Sequence, residues 1–403
     1  MRLESDTLSQ AERLAKVLDH EEPDRLPCFL MGMLTSGTFW QEFKQREDDL
    51  LDAYTDDEQN VVLTPCGDYT VPVFFGTDVV THGCPVDEPP PEWVEVRGTA
   101  SDLQVTRVDR GKKAGDVETG FKLSYYGSIN KIELLPSGQP YTWHYAPYLR
   151  TPEMLVKWFD ERGWPGQLPV RPFPAGIAET NKNFSRVLHI IPSYGPSSFT
   201  HLQTMLGVDR VLYFARKSPE TLFRIINSFA ELQLRQIEQM KSLRPIAIFT
   251  YDDLGQKDRP LLSPALFQKF FLPARKRVND AIHELGAKSI LHSCGNATGL
   301  LPDLVAAGFD GWQSLEPASG IDHQAVKKQF GDRLSFWGAI DNNVLCFGRP
   351  ADVDAAVRRM IGIMAPGGGY VLGPAHDYLN TRVDNALALR DALVKYGYYT
   401  SQL

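Results

Sequence analysis

The sequence predicts an α/β protein: a (β/α)₈ barrel carrying an antiparallel β insertion. Three observations lead there. From about residue 185 short apolar runs alternate with helix-patterned stretches at spacings of about 25–45 residues, the grammar of a parallel sheet wrapped in helices. Earlier, residues 87–165 break into short alternating runs punctuated by Gly and Pro, which is hairpin grammar. Finally, no GxGxxG follows an early strand, which disfavours a doubly wound sheet. The 403 residues suit one large barrel or two ordinary domains. The unbroken alternation favours one barrel domain spanning 1–403.

Residues 8–19 (LSQAERLAKVLD) place Leu8, Ala11, Leu14, Ala15 and Leu18 on one face of a helix. Proline bars its continuation at EEPDRLP, and Pro27–Met33 (PCFLMGM) is the first strand candidate. After DEPPPEW come WVEVRG, LQVTRVD and FKLSYYGSINKIELLP, read as the β insertion over about 96–145. Helical signal returns at TPEMLVKWFDERG, with Thr151 as N-cap and Pro152 at the first helical position. The strands of the regular region are VLHIIPS (187–193), IAIFTYDD (246–253), SILHSCG (289–295), DGWQSLE (310–316), LSFWGAID (334–341) and GYVLGPAH (369–376). Between them lie helix-like stretches such as PETLFRIINSFAELQLRQIEQMKS, SPALFQKFFLPARKRVNDAIHELG and PADVDAAVRRMIGIM. No internal repeat or low-complexity tract interrupts them.

Composition narrows the function. Hydrophobic residues at 43% and charged residues at 23% suit a globular protein with a sizeable core. Fifty acidic against 42 basic side chains give −8, which disfavours nucleic acid or an anionic membrane as partner. Five scattered cysteines are no disulfide framework and point to a reducing compartment. No apolar run approaches the roughly 20 residues of a membrane span, and the charged N-terminus lacks the apolar core of a signal peptide. A cytoplasmic enzyme is expected.

The polar residues fall where chemistry would be placed. Asp252 and Asp253 close one apolar run, His292 and Cys294 the next, then Glu316, Asp341 and His376. In a barrel all strand ends of one sense face one mouth, so these residues would converge. Residues two apart on a strand share a face, so His292 and Cys294 aim an imidazole and a thiol into one space, a start for a Zn²⁺ site. Gly295 permits a sharp turn behind them. With His376 and Glu316 as candidate further ligands, the metal reading competes with a plain one in which Cys294 is core filling and His292 its hydrogen-bonded neighbour. Asp252 and Asp253 could equally cap a helix or pair with Lys257 or Arg259, and Asp341 could cap its loop. Gly367–Gly369 precedes a strand and lacks a following Lys-Ser/Thr, so it reads as a turn. Cysteines 28, 66, 84 and 346 read as buried thiols, Trp312 and Trp337 as core. No G-x-S-x-G supports a hydrolase triad.

Taken together, PDRLP, TYDDLG followed by SPALFQKFFLP, LHSCGN, GAID and GGGYVLGPAHD resemble the uroporphyrinogen decarboxylase superfamily from about residue 10 to the C-terminus. The resemblance implies a (β/α)₈ barrel and either porphyrinogen decarboxylation or zinc-dependent methyl transfer with corrinoid proteins. The decarboxylases carry an arginine-rich R-Q-A-G-R after the first strand. Here PCFLMGMLTSGTFW stands in that place and no arginine occurs from 26 to 44. A tetrapyrrole with eight carboxylates needs cationic partners, so the methyltransferase branch is favoured. That branch has H-x-C on one strand and a last-strand Cys in a segment like L-A-P-G-C. This chain supplies His292 and Cys294, while LGPAH puts His376 at the last place, where the decarboxylases also carry histidine.

The resemblance implies a His292/Cys294/His376 zinc site, with Glu316 as a displaceable ligand or nearby base and Asp252 and Asp253 orienting a ligand or substrate. A cobalamin corrinoid, free or on a separate protein, is expected as methyl donor or acceptor, because the chain lacks the D-x-H-x-x-G cobalamin signature. A small molecule would be the other party, the insertion a lid or docking surface, and a homodimer is compatible with the superfamily. Two alternatives stand beside this reading. One is a metal-independent decarboxylase or lyase of a small acid, with Asp78 (in FFGTDVV) at the decarboxylases' reactive aspartate position. The other is a non-catalytic corrinoid- or partner-binding subunit.

Overall fold

The computed structural model describes residues 5–31, 37–55, 61–98, 103–108, 119–134, 140–195, 198–376 and 380–399. A small hairpin, β1 (Leu63–Thr64) and β2 (Gly67–Asp68), precedes β3 (Val79–Gly83), a strand the sequence patterning did not reveal. The insertion follows as β4 (Glu92–Arg97), β5 (Gln104–Arg107), β6 (Gly120–Leu123), β7 (Ser128–Leu134) and β8 (Pro140–Pro147). Six strands then alternate with helices: β9 (His189–Tyr194), β10 (Ala247–Tyr251), β11 (Lys288–Ser293), β12 (Gly311–Ser314), β13 (Ser335–Ile340) and β14 (Tyr370–Pro374).

Seven of these form one parallel sheet in the order β14-β13-β12-β11-β10-β9-β3. The segment 27–29 closes it. Phe29 N donates to Leu372 O and Leu372 N to Pro27 O on one side, while the Asp78 and Val79 amides donate to Cys28 O on the other. The first stave is thus the PCF of the expected PCFLMGM strand; residues 32 and 33 of that expectation lie outside the described residues. Eight staves complete a (β/α)₈ barrel.

Side chains of one strand phase fill its interior. Phe29, Val79, Ile191, Phe249, Ile290, Trp337 and Val371 form a buried cluster of their own with Leu14, Val17 and Leu18. Those three leucine and valine residues belong to the first helix, Gln10–Leu18, whose capping box is made by Ser9 and Glu12. The helix therefore plugs the amino end of the barrel with its apolar face. Phe29, Phe249 and Trp337 pack with ring centroids 5.5–6.1 Å apart. β12 contributes Gly311 at this level, because a Cβ there would lie 2.5 Å from Ser335 Oγ. This packed floor leaves the carboxyl end of the barrel for chemistry.

The amino end is also where charge is buried. Arg25 and Asp78, both fully buried, pair through two contacts of 2.6 and 2.8 Å, and Arg25 reaches Asp6 at 2.9 Å. Arg13 pairs with Asp24 at 2.8 Å beside them. Burial raises the Asp24 carboxyl, but hydrogen bonds from Arg13 and the Leu8 amide outweigh it and hold the group at about 2, below its ordinary 3.8. A carboxyl depressed by folding contributes stability above its unfolded value and loses it as pH falls through its folded value. At the entrance to β9, burial lowers the neutral His189 imidazole from 6.5 to about 4, so its contribution fades over that interval on acidification. The thermal midpoint is therefore expected to fall in two stages, between pH 6.5 and 4 and again from about pH 4 toward 2. Calorimetry across this range checks it, and Asp24→Asn should flatten the lower stage.

The insertion is a five-stranded antiparallel sheet in the order β5-β4-β6-β7-β8, reaching a few residues beyond the expected 96–145 at each end. It is anchored through Trp158 Nε1, which donates to Tyr125 O at 2.7 Å from the helix Pro152–Arg162. The side chain of Thr151 caps that helix as expected. Among the described residues no helix is long and apolar enough to cross a membrane.

Candidate metal centre

Strand phase carries the interior pattern upward from the floor. Tyr251, His292, Gln313 and Trp337 stand in register across β10, β11, β12 and β13. His292 follows Ile290 in the inward phase, and Cys294 follows His292 where β11 ends. His376 arrives two residues after the end of β14. His292, Cys294 and His376 each offer one ligand atom, all within 4.8 Å of one another. Cys294 Sγ lies 3.1 Å from His292 Nε2, and the two imidazole centroids are 5.8 Å apart.

Two nitrogens and a sulfur suit zinc. Tetrahedral zinc with bonds of about 2.0–2.3 Å has ligands about 3.3–3.8 Å apart. The Cys294–His292 spacing already approaches that range, and the widest separation needs to close by about an ångström. The donor set and its spacing fit the ion.

The loops behind the triad are tied together. Asp253 Oδ1 accepts from the Cys294 amide at 2.9 Å and lies 3.5 Å from His292 Nε2, so it faces both candidate ligands. Asp252 does something else. Its buried carboxylate accepts from the amides of Phe199 and Thr200 at 3.0 and 2.8 Å and pairs with buried Arg275, fastening the start of helix Ser198–Leu206 to the end of β10. Neither Lys257 nor Arg259 is its partner. Glu316 Oε2 accepts from Gly295 N at 3.2 Å and Ser319 Oγ at 2.8 Å, which braces the turn after Cys294. Asp341 caps helix Asn342–Phe347 by accepting from Asn343 N at 2.8 Å. Glu316 and Asp341 also line a cavity of about 280 Å³ with Asn342, Asn343, Ala375 and His376. A space for a small molecule therefore opens directly beside His376, one of the candidate ligands.

Backbone strain gathers at the same end. Ser314, Leu315 and Ala339 adopt φ of 123°, 53° and 71° where β12 and β13 finish. The turn at Gly295 has φ +71°, and a Cβ there would lie 2.5 Å from the Gly255 carbonyl carbon. Gly295→Ala combines a backbone clash with an unfavourable φ, so it is expected to cost about 2–4 kcal/mol in urea denaturation.

Asp78 is not part of this cluster. It precedes β3 at the amino end, where it accepts from Arg25 and from the Cys28 amide at 2.9 Å. Burial opposes its ionisation, but the Arg25 charge prevails and keeps the carboxyl below its ordinary value. The Gly367–Gly369 segment is the expected turn, with φ of 75°, 73° and 73°.

Sequence reasoning passed over Gln313 and Tyr251. Gln313 is fully buried and in contact with His292 Nδ1 through Oε1, and with Ala375 O through Nε2 at 3.4 Å. Tyr251 stacks obliquely on His292 at 5.5 Å and bonds Thr81 Oγ1 at 3.2 Å. The available signal was a glutamine in the inward phase of an apolar strand, since a buried amide needs partners.

Comparison with known proteins gives these residues a context. Residues 186–396, just over half the chain, match the uroporphyrinogen decarboxylase (URO-D) family. A methylated-thiol–coenzyme M methyltransferase of Methanosarcina mazei is 26% identical over 155 residues, 38% of this chain and 40% of that protein. A methylcobamide:CoM methyltransferase of Methanosarcina acetivorans is 29% identical over 115 residues, 28% of this chain and 33% of that protein. A uroporphyrinogen decarboxylase of Syntrophotalea carbinolica is 26% identical over 195 residues, 47% of this chain and 52% of that protein. The chain thus spans about a third to a half of the length of these relatives. A solved methyltransferase from Methanosarcina mazei superposes over 96% of this chain and 99% of its own, with TM-score 0.57 and 16% identity, a likeness of fold. With the family match covering more than half its residues, the chain belongs to the uroporphyrinogen decarboxylase family.

Proposed function

We propose that the protein is a zinc-dependent methyltransferase, exchanging a methyl group between a corrinoid and a small molecule. One observation carries this reading: His292, Cys294 and His376 converge at the carboxyl end of the barrel beside a cavity large enough for a small substrate. The methyltransferase names among its relatives support the same reaction class. Zinc bound there would lower the proton affinity of a coordinated thiol or similar soft nucleophile near neutral pH.

The chain's own residues supply the rest. His292 on β11 and Cys294 just past its end, with His376 two residues past the end of β14, would fix the ligand geometry. Asp253 keeps the Cys294 backbone in place and faces His292. The cavity between Glu316, Asp341 and His376 positions the small molecule beside the ligands, which lowers the entropic barrier to an in-line transfer. The corrinoid, free or carried by a separate protein, would approach over the open mouth, and the insertion offers exposed Trp143 and Tyr145 for docking. Decarboxylation through Asp78 loses its support, because that carboxylate is committed to Arg25 at the other end of the barrel.

The test begins with metal content by mass spectrometry, followed by demethylation of methylcobalamin with a panel of thiols and other methyl acceptors. About one zinc per chain and zinc-dependent demethylation are the expected results. A wild-type protein that stays empty after reconstitution overturns the reading.

A further inference from the structure

We infer that Gln313 is the positioning residue that sets the tautomer of His292 and couples the two strands bearing the candidate ligands. The inference rests on the metal reading of the site but reads its consequence in the metal-free protein. The argument starts from Ala375, whose carbonyl oxygen can only accept a hydrogen bond. Its partner in the Gln313 amide is therefore Nε2, at 3.4 Å. That contact fixes the orientation of the amide, and Oε1 is left facing His292 Nδ1. An amide oxygen only accepts, so Nδ1 must carry the proton. The neutral imidazole then presents its lone pair at Nε2, the atom 3.1 Å from Cys294 Sγ.

One side chain thereby does two things. It selects the tautomer in which His292 can donate electrons toward the triad, and it pins the carbonyl immediately before His376. β12 supplies neither histidine nor cysteine to the cluster, yet it lies between β11 and the strand next to β14. Gln313 is fully buried, so water does not substitute for either bond. Outer partners of ligand histidines typically change metal affinity by about 10–100-fold, and Gln313 is placed to act in that way.

The test uses the full-length protein labelled with ¹⁵N-histidine, with the His292 resonances assigned by their loss in His292→Ala. In metal-free wild type the neutral His292 ring is expected as the Nδ1–H tautomer. Gln313→Glu keeps the acceptor toward Nδ1 but loses the donor to Ala375 O, so it should keep that tautomer while weakening zinc less than Gln313→Leu does. Gln313→Leu removes both bonds and should shift the ring toward Nε2–H, weakening zinc about 10–100-fold in chelator competition. A purely structural role for Gln313 would lower the thermal midpoint of Gln313→Leu while leaving tautomer and affinity unmoved, which overturns the inference. A wild-type ring protonated on Nε2 overturns it as well, and that arm holds even when Gln313→Leu does not fold. Failure of wild type to bind zinc would sink the metal reading, while the tautomer arm still decides the role of Gln313.

Discussion

Cys294→Ser is expected to remove bound zinc and to reduce methyl transfer by more than about 100-fold, the upper end of what loss of a mere outer partner costs. The replacement changes the chemistry of one atom and almost nothing else. A serine hydroxyl does not ionise near neutral pH as a metal-bound thiol does, so the thiolate donor of the proposed His/Cys/His set disappears. The backbone bond from residue 294 to Asp253 Oδ1, 2.9 Å in the native chain, does not involve the sulfur and persists. Folding stability should thus stay within about 1 kcal/mol of wild type, so that the loss is read as chemistry and not as unfolding. His292→Ala should lose the metal equally. His376→Cys should retain it, since a thiolate replaces an imidazole in the same class of site. Metal stoichiometry beside the demethylation rate separates these outcomes. Retention of a full zinc equivalent by Cys294→Ser would remove the triad from the site.

Arg25→Leu is expected to have the largest effect on stability, about 3–5 kcal/mol, because it leaves the fully buried Asp78 without its cation and Asp6 with Arg13 at 3.4 Å in place of two guanidinium partners. Asp78 and Asp6 both face this guanidinium, and Asp78 has no exposure to water. Arg25 also donates to Leu26 O at 3.0 Å, next to the segment that closes the barrel. The double variant Arg25→Leu/Asp78→Leu should recover part of the loss, since replacing both partners of a buried pair costs less than orphaning one. Urea denaturation of the single and double variants measures this. A single variant as stable as wild type would mean that solvent reaches the pair. The two predictions separate the ends of the barrel: at the mouth substitution costs chemistry, at the base it costs the fold.

The fold was largely legible because its signal is periodic. Each apolar run from VLHIIPS to GYVLGPAH became a barrel strand, since a strand buried on both faces has to be apolar over its length. β3 escaped because Val79–Gly83 reads VVTHG, two apolar residues followed by three that are ordinary in loops. The candidate site was half legible. Residue type and strand-end position were enough to select His292, Cys294 and His376, which the structure brings together. The same reasoning selected Asp252 and Asp341, whose carboxylates hold helix starts, because an acid at a strand end looks alike whether it meets a ligand or an amide. Gln313 was invisible for a different reason. Its meaning lies in register with His292 on a neighbouring strand, and register is a property of the pairing, not of either segment. Asp78 was singled out only through the resemblance to the decarboxylases, and its pairing with Arg25, 53 residues away in PDRLP, could not be read from FFGTDVV.

Closure of the barrel by residues 27–29 has a consequence for the order of assembly. Cys28 stands beside Leu372, and Leu26 N is held by Gly397 O, so the first stave of the barrel is completed by the last. During synthesis from the N-terminus, that stave has no second neighbour until β14 has been made. The pairing is among the most non-local a chain of this length can make, and such contacts are entropically slow to form. The nascent protein therefore passes through an open-sided state in which segment 27–29, paired with β3 on one side, and the most recently made strand each present a free edge, and it is there, more than in the finished barrel, that aggregation and chaperone dependence should be sought.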